Sequence, residues 1–333
     1  MRSSIASPLI QLKVNNIMKS LSLAPIAALL CAAAAAPAFA QSSVTIYGRL
    51  NETVENQKVG SGSAVWKLVN NSSRIGFKGT EDLGGGLKAG FQIEHGFAPD
   101  TGAANAVFWG RRSEVNLGSS TFGTVRLGNM VSEAYYATAD YVSMHNHDTG
   151  TSSDALYAYL SNNTNKVAYH SPTFGGATFD VARTLAEGPT GQVTYDLATN
   201  WANGPLQIGA GYEKNKTLDK SQFAVRALYE FGAFVVGGYV QRDENAYATG
   251  NRTNLRLSGM YTMGLTELHL NVGKAGKTGS VADSGASQFT AGVNYNLSKR
   301  TKVYGYYTKL DDNAAGLYGG DFRSLAVGIR HNF

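Results

Sequence analysis

The sequence predicts an all-β fold, a transmembrane antiparallel β-barrel of about sixteen strands, and three observations lead to this prediction. Residues 324–333 place apolar side chains at every second position and end on an aromatic residue. The same period-two alternation recurs along most of the chain. After residue 40, no apolar run approaches the roughly 18 residues that a spanning helix needs. Without such a helix, a membrane protein must close its strands into a barrel so that every backbone polar group is paired.

The N-terminal residues predict an export signal. Residues 1–40 contain three basic side chains and no acidic one. The apolar run 21–40 ends in Ala-Phe-Ala, a pattern typical of a signal cleavage site. We therefore expect a signal peptide over 1–40, with Met18 as a possible true start, and a single barrel domain over 41–333.

The composition after residue 40 excludes several classes of protein. That part of the chain carries 26 basic and 24 acidic side chains, a net charge of +2 with neutral histidines. A nucleic-acid-binding domain would carry a larger, clustered basic excess. The single cysteine, Cys31, lies within the predicted signal. Neither a disulfide nor thiol catalysis is therefore expected in the mature protein.

The alternating segments define the predicted strands. In residues 44–51, Val44, Ile46 and Leu50 lie on one face, and the polar side chains between them lie on the other. Residues 86–94 and 287–297 have the same two faces. Comparable alternation predicts strands over 71–79, 107–118, 123–129, 163–171, 176–186, 191–200, 205–214, 222–230, 233–242, 252–262, 265–274, 301–310 and 324–333.

The connections between these strands alternate in length. Short turns rich in glycine, proline and asparagine alternate with longer polar stretches over 56–67, 98–106, 243–251, 276–286 and 311–321. Short turns at one end and long loops at the other are typical of a membrane barrel. A soluble β-sandwich or propeller would also give many short strands. It accounts less well for the export signal, for Phe333 at the C-terminus and for the alternating connections.

Alternation also predicts which charges face the interior. Sixteen strands leave an aqueous lumen, and Arg49, Arg74, Arg112 and Arg126 each lie on the face opposite an apolar register. An arginine facing lipid at mid-depth would cost about 2–4 kcal/mol, so these side chains should face water. Lys166 is also predicted to face inward. Such a cluster attracts anions. Glu114, two residues from Arg112, is expected to reduce that field.

Several segments resemble the general porins of Gram-negative bacteria, especially the β-proteobacterial type. They are 42–51, 72–94, 122–129, 169–176 and the terminal His-Asn-Phe, and RIGFKGTEDLGGGLKAGFQ is the most specific. The resemblance implies a homotrimer in the outer membrane. Each barrel would have sixteen strands and a water-filled pore narrowed by an infolded third loop. It also implies passive transport of ions and small hydrophilic solutes, with no cofactor and no enzymatic activity.

The resemblance extends to the pore constriction. Arg49, Arg74 and Arg112 match the basic cluster of the family, whereas Arg126 and Lys166 are added from alternation alone. The stretch 131–162, which lacks a strand pattern, matches the infolded loop. We expect its Glu133 and Asp140 to face the arginines across the pore, although the usual acidic motif of that loop is not cleanly present. The alternative is that both acids only anchor the loop to the wall.

The expected function is therefore general diffusion with a mild preference for anions. Expected partners are outer-membrane lipid, lipopolysaccharide and the transported solutes, with Phe333 marking the chain for the barrel assembly machinery. No nucleic acid is expected. A substrate-specific channel, an outer-membrane barrel enzyme and a structural barrel stay open as alternatives.

Two further clusters have less specific interpretations. His145 and His147 could bind a metal, but two loop histidines without a third ligand are better explained as solvated side chains. The tyrosines near strand ends could form a sugar path, but packing of loops or of the membrane interface is the simpler interpretation. They are Tyr135, Tyr136, Tyr157, Tyr159, Tyr306 and Tyr307.

Overall fold

The computed structural model describes residues 43–142, 155–160 and 163–333, which form one antiparallel sheet closed on itself. Its strands are β1 (Ser43–Val59), β2 (Val65–Asn70), β3 (Arg74–Gly84), β4 (Leu87–Ala98), β5 (Ala103–Ala104), β6 (Arg112–Ser119), β7 (Gly123–Asn129), β8 (Lys166–His170), β9 (Ala177–Thr184), β10 (Thr194–Asn203), β11 (Leu206–Asn215), β12 (Lys220–Phe231), β13 (Phe234–Glu244), β14 (Asn251–Met263), β15 (Thr266–Ala275), β16 (Ala286–Asn296), β17 (Thr301–Asp312) and β18 (Phe322–Asn332). Between β7 and β8 lie a short helix, α1 (Glu133–Ala137), and a 3₁₀ turn (Asp140–Val142).

These segments make sixteen wall strands, as predicted. β2 and β3 pair with the upper and lower parts of β1, so they form one wall strand interrupted at residues 71–73. The two-residue β5 pairs only with the end of β4. In the part of the chain that the structure describes, no helix has the length and hydropathy to cross a membrane.

The barrel closes where the first strand meets the last. β1 pairs with β18 from Arg49 opposite Asn332 to Val59 opposite Phe322. Phe333 continues the ladder, because its N–H donates to the carbonyl of Gly48 (3.1 Å) and its carbonyl accepts from the N–H of Gly48 (3.0 Å). A Cβ atom on Gly48 would lie 2.4 Å from the ring of Phe333. Glycine at this position therefore leaves room for the terminal aromatic ring.

The two faces of the wall follow the predicted alternation. Apolar side chains such as Ile46, Leu257 and Val327 are exposed on the outside. The polar residues that alternate with them on the same strands point inward, where their side chains form hydrogen bonds with those of neighbouring strands. The structure therefore has an apolar exterior and a polar interior, which is the arrangement expected of a barrel in lipid.

Two predicted boundaries were wrong. Residues 56–67 are mostly strand, because β1 continues to Val59 and β2 begins at Val65, so the first outer loop is only 60–64. Both faces of the upper part of β1 are polar, which hid the alternation. The strand predicted over 107–118 begins at Arg112. Phe108 and Trp109 instead belong to the preceding loop, and their rings pack against His95 on the outside of the wall.

Candidate functional site

Basic side chains form a row along the inner wall, on strands that lie side by side. Lys302 on β17 is opposite Arg330 on β18, and Arg49 on β1 is opposite Arg74 on β3. Arg112 on β6 and Arg126 on β7 continue the row. We call these residues, together with Arg111, the basic row. The structure thus brings together four of the five basic residues proposed from sequence, on one side of the barrel.

The first part of the basic row surrounds a carboxylate. Glu94 on β4 accepts from Arg111 Nε at 2.6 Å and lies 3.8 Å from Arg74 Nε. The Tyr47 hydroxyl donates to the other oxygen of Glu94 at 3.0 Å. Arg49 is held separately, with Nε donating to Asn332 Oδ1 at 3.1 Å. These contacts fix long side chains in place, so the charges of the row have defined positions.

Arg112 joins the wall to the third outer loop. Its Nη1 donates to Gln92 Oε1 and its Nη2 donates to the Tyr136 hydroxyl, both at 3.0 Å. Glu114, the acid expected to reduce the field, lies 3.8 Å from Arg112 and 3.7 Å from Arg126. Because Glu114 is shared between two guanidiniums, it neutralises only part of their charge.

Glu133 lies beside the basic row. Its carboxylate bonds directly to Arg126 Nη2, and the side chain is almost fully buried. Burial raises the pKa of Glu133 to about 7, although the nearby Arg126 acts in the opposite direction. This carboxyl therefore changes its charge close to neutral pH.

Lys166 does not belong to the basic row. It points to the other side of the third loop, where its Nζ lies 3.4 Å from Asp196 Oδ2 and 3.5 Å from the carbonyl of Val131. Both charged side chains of this pair are 1% exposed. Alternation placed Lys166 on the inner face correctly, but the loop covers it. Its ammonium group contacts the loop and a carboxylate of the wall.

The start of the third outer loop is bonded to the wall through Asp196 on β10. The N–H groups of Glu133 and Ala134 donate to the two carboxylate oxygens of Asp196 at 2.7 and 2.9 Å. Ser132 Oγ accepts from the N–H of Tyr135 at 3.0 Å. Three N–H groups at the start of α1 are thus satisfied, two of them by a wall strand.

Glycines on β11 give α1 its close approach to the wall. A Cβ on Gly211 would lie 2.6 Å from Ala134 Cα, and one on Gly209 would lie 2.3 Å from the carbonyl oxygen of Ala137. Any larger residue at these positions would have to displace the backbone of the loop. We call Gly209 and Gly211 the glycine seat.

Polar side chains on the next strands continue this attachment. Arg226 on β12 donates from Nε to the carbonyl of Ala137 (2.8 Å), and its guanidinium lies 3.5 Å from the ring centre of Tyr141. On β13, Gln241 Oε1 accepts from the N–H of Ala158 and its Nε2 donates to the same residue's carbonyl. On β14, Asn254 Nδ2 donates to the carbonyl of Leu156 at 2.7 Å. Together with the bonds of Arg112 on β6 to Tyr136 and of Arg126 on β7 to Glu133, these contacts bond the loop to seven strands, β6, β7, β8, β10, β12, β13 and β14.

Aromatic packing supports the same segment. The ring of Tyr135 lies 5.7 Å from Tyr157 and 4.7 Å from Tyr159, and Tyr157 lies 5.6 Å from Tyr239 on β13. Asp140 begins the 3₁₀ turn on the same loop. Tyr306 instead faces the lumen wall, where its hydroxyl donates to Glu55 at 2.7 Å. Most of the predicted loop tyrosines thus pack the loop against the wall.

The predicted histidine pair His145 and His147 lies outside the described residues. Within residues 43–142, 155–160 and 163–333, no group of three or more histidine, cysteine, aspartate or glutamate side chains has the geometry to hold a metal ion.

Sequence reasoning missed four members of this site. Arg330 and Lys302 could have been found from alternation, because Arg330 follows the outward Ile329 and Lys302 precedes the outward Val303. Arg111 precedes its strand and has no such signal. Asp196 resembles any polar residue of the inner face, and only the fold shows that it binds a loop 62 residues earlier in the chain.

Comparison with known proteins agrees with this geometry. A family model described as Gram-negative porin matches residues 27–315. Outer membrane porin protein 32 of Delftia acidovorans is 32% identical, with 92% of this chain and 98% of that protein covered. Major outer membrane protein P.IB of Neisseria meningitidis serogroup B is 28% identical, with 90% and 97% covered.

Solved structures give the same result. An anion-selective porin from Comamonas acidovorans superposes with a TM-score of 0.74 at 27% identity, covering 88% of this chain and 100% of that one. OmpF of Salmonella typhi, at 16% identity and a TM-score of 0.72, shows the fold alone. The chain thus belongs to the Gram-negative porins, proteins of the bacterial outer membrane.

Proposed function

We propose that this porin is a general-diffusion channel with a mild preference for anions. The basic row is the single observation that carries the anion preference. Five arginines of the basic row lie near three carboxylates around the described constriction. The arginines are Arg49, Arg74, Arg111, Arg112 and Arg126, and the carboxylates are Glu94, Glu114 and Glu133. Asp140, which acts on Tyr136 beside Arg112, adds a fourth carboxylate, so five positive and four negative charges leave an excess of one positive charge. A fixed positive excess in a water-filled passage raises the local concentration of anions. The anion-selective neighbour from Comamonas acidovorans supports the same sign.

The third loop supplies the size limit in this proposal. Its bonds to seven strands keep it inside the barrel instead of letting it extend from the rim. It brings Glu133 and Tyr136 against Arg126 and Arg112, so charges of both signs lie on the same stretch of the passage. Charged groups of both signs on one stretch of the passage favour polar solutes over apolar ones.

Reversal potentials in planar bilayers under a potassium chloride gradient test the basic row. An arginine about 4 Å from a passing anion in water contributes about 1 kcal/mol. We therefore expect Arg74→Ala to lower the anion-to-cation permeability ratio by up to about fivefold, and Arg74→Ala with Arg112→Ala to lower it further. Conductance steps should persist in both variants.

Arg242→Ala is the matched control, because it removes the same charge from the outer face of β13. It should leave the permeability ratio unchanged. A normal conductance with unchanged selectivity in Arg74→Ala and in the double variant would discard the basic row as a filter. Folded protein without conductance would contradict the open pore itself.

The charge of Glu133 makes selectivity depend on pH. The carboxyl, with its pKa raised to about 7 by burial, gains a proton as the pH falls from 8 to 6. Arg126, Lys166, Asp180 and Asp196 surround it. We expect the anion preference to increase across this interval, because one negative charge is lost from the constriction.

Glu133→Gln should show the low-pH selectivity at every pH, and this is measured from the same reversal potentials. His170, whose Nδ1 lies 2.6 Å from Asp180 Oδ1, is an imidazole close to Glu133. A pH step that survives in Glu133→Gln and disappears in His170→Gln would assign the effect to the histidine instead.

The remaining assignments concern export, assembly and partners. Residues 1–40 act as the signal peptide in this proposal, and 41–333 form the barrel domain. The mature chain assembles as a homotrimer surrounded by outer-membrane lipid and lipopolysaccharide, and Phe333 presents the last strand to the barrel assembly machinery. Relatives named as porins support a transport protein without enzymatic activity or cofactor.

A further inference from the structure

Lys166 and Asp196 form an ion pair that the barrel hides almost completely from solvent. Lys166 Nζ lies 3.4 Å from Asp196 Oδ2, and each side chain is 1% exposed. The two residues lie on β8 and β10, so the pair crosses the intervening strand β9. A buried ion pair is costly, because both charges lose their hydration and only their mutual attraction compensates for the loss. A reaction that removes both charges is therefore favoured at this position.

Apolar side chains pack beside this pair. On β9, Ala182 lies opposite Asp196, and it also lies opposite Ala168, which shares the inward face of β8 with Lys166. Ala168, Ala182 and Met130 form a buried apolar cluster. The ammonium and the carboxylate therefore meet next to a part of the wall that excludes water, where a condensation product is protected from hydrolysis.

Two backbone N–H groups of the third loop hold the carboxylate of Asp196 in a fixed orientation. The N–H of Ala134 donates to Oδ1 at 2.9 Å, and the N–H of Glu133 donates to Oδ2 at 2.7 Å. N–H groups in such positions stabilise the negative oxygen that forms when a nucleophile adds to a carbonyl carbon. The loop thus prepares the Cγ atom of Asp196 for attack by an amine.

A third titratable group, the carboxyl of Glu133, lies next to the pair. Its side chain is 7% exposed, and it interacts electrostatically with both Lys166 and Asp196. Burial raises the pKa of this carboxyl to about 7. A group with such a pKa takes up and releases a proton readily near neutral pH. The site therefore holds a nucleophile, an electrophile and a proton carrier.

We propose that Lys166 and Asp196 condense to an isopeptide bond when the barrel folds, with Glu133 as the proton relay. The new bond joins Lys166 Nζ to Asp196 Cγ, and the bond between Cγ and Oδ2 breaks. Oδ2 leaves as water with two protons of the ammonium group, one transferred directly and one passed through Glu133. The amide keeps one proton on Nζ and carries no charge, so the reaction needs no further reactant.

The hydrogen bonds of the site fit the product as well as the ion pair. The remaining oxygen, Oδ1, has two lone pairs, which can accept from the N–H groups of both Glu133 and Ala134. Lys166 Nζ lies 3.5 Å from the carbonyl of Val131, an acceptor for the amide N–H. The bond links two wall strands through residues 30 positions apart and fixes the segment that holds the third loop. This inference does not depend on the ion selectivity proposed for the pore.

The intact mass of protein purified from outer membranes tests this proposal. Wild type should weigh one water molecule less than its sequence requires. Lys166→Arg, which keeps the positive charge but forms no such amide, should have its full sequence mass. Comparing the two proteins cancels any change at their shared N-terminus. Proteolysis and fragmentation should place the missing water on a branched peptide that joins Lys166 to Asp196.

The exposed pair of Lys214 and Asp219 is an internal control. These side chains have the same chemistry, and Lys214 Nζ lies only 2.6 Å from Asp219 Oδ1. Because water reaches both groups, they should stay unlinked in the same digest. A short distance alone would then not explain the bond between Lys166 and Asp196.

Glu133→Gln tests the proton relay, and Glu114→Gln is its matched control. Each substitution removes one carboxylate that contacts Arg126, but only Glu133 bonds to Asp196. We expect the full sequence mass for Glu133→Gln and the loss of one water for Glu114→Gln. A semi-native gel verifies that each variant is folded.

Three results would overturn the proposal. The first is a wild-type protein with its full sequence mass, and the second is a missing water that maps to other residues. The third is equal cross-linking in Glu133→Gln and Glu114→Gln, which would remove the relay role of Glu133. None of these results changes the conductance or the ion preference expected of the pore, so the two proposals fail separately.

Discussion

Replacing Asp196 with alanine is expected to loosen the third loop and to raise the conductance of each barrel. The substitution removes the acceptor of two N–H groups of α1 and leaves Lys166 buried without its carboxylate. Breaking a buried ion pair typically costs about 3–5 kcal/mol. The expected result is larger and noisier single-channel steps, together with a lower temperature at which the folded form is lost on a semi-native gel.

A second carboxylate provides the control for this experiment. Asp180 lies on the adjacent strand β9 and bonds to His170 rather than to the loop. Asp180→Ala should therefore keep the conductance of the wild type. Asp196→Asn retains one acceptor oxygen and should lie between wild type and Asp196→Ala. If Asp196→Ala conducts as the wild type does, the loop does not depend on this attachment.

Filling the glycine seat is expected to have the opposite effect on the pore. In Gly211→Val, the new Cβ would lie 2.6 Å from Ala134 Cα, a distance that real Cβ contacts do not reach. The wall strand is fixed by its ladder with β10 and β12, so the loop has to move toward the lumen. Overpacking of this kind costs about 1–3 kcal/mol. We expect a smaller single-channel conductance.

Gly259→Val is the matched control. Gly259 lies on β14, and a Cβ there has no neighbour within 4 Å. The same change of residue should leave conductance unaltered at that site. A conductance for Gly211→Val that equals or exceeds the wild type would contradict the close packing of α1 on β11.

The strands were predictable because the polarity of each residue indicates whether its side chain faces lipid or the interior of the barrel. On β16, the apolar side chains of Phe289, Ala291 and Val293 face outward, and those of Gln288 and Thr290 face the interior. Neighbouring residues in the sequence are enough to show this pattern. The upper part of β1 escaped prediction for the same physical reason. There the strand has passed the apolar layer, so residues such as Asn56 and Lys58 face outward without being apolar.

The candidate site was predictable only in part. Arg49, Arg74, Arg112 and Arg126 follow from alternation within single strands. The carboxylates that pair with these arginines do not follow from alternation. Glu94 contacts Arg74 across a hairpin, and Glu133 contacts Arg126 only because the third loop folds inward. Lys166 shows the limit most clearly. Its inward direction was correct, but only the position of the loop decides that it meets Asp196 instead of water.

The attachment of the third loop has a consequence for the order of assembly. Ala137 bonds to Arg226, Ala158 to Gln241 and Leu156 to Asn254, contacts separated by 89, 83 and 98 residues. Contacts of such long range form after local ones, since the intervening chain must first be ordered. The loop cannot reach its final position until β14 has joined the wall. The third loop is therefore placed late in folding, and every earlier intermediate lacks the size limit that we propose for the mature pore.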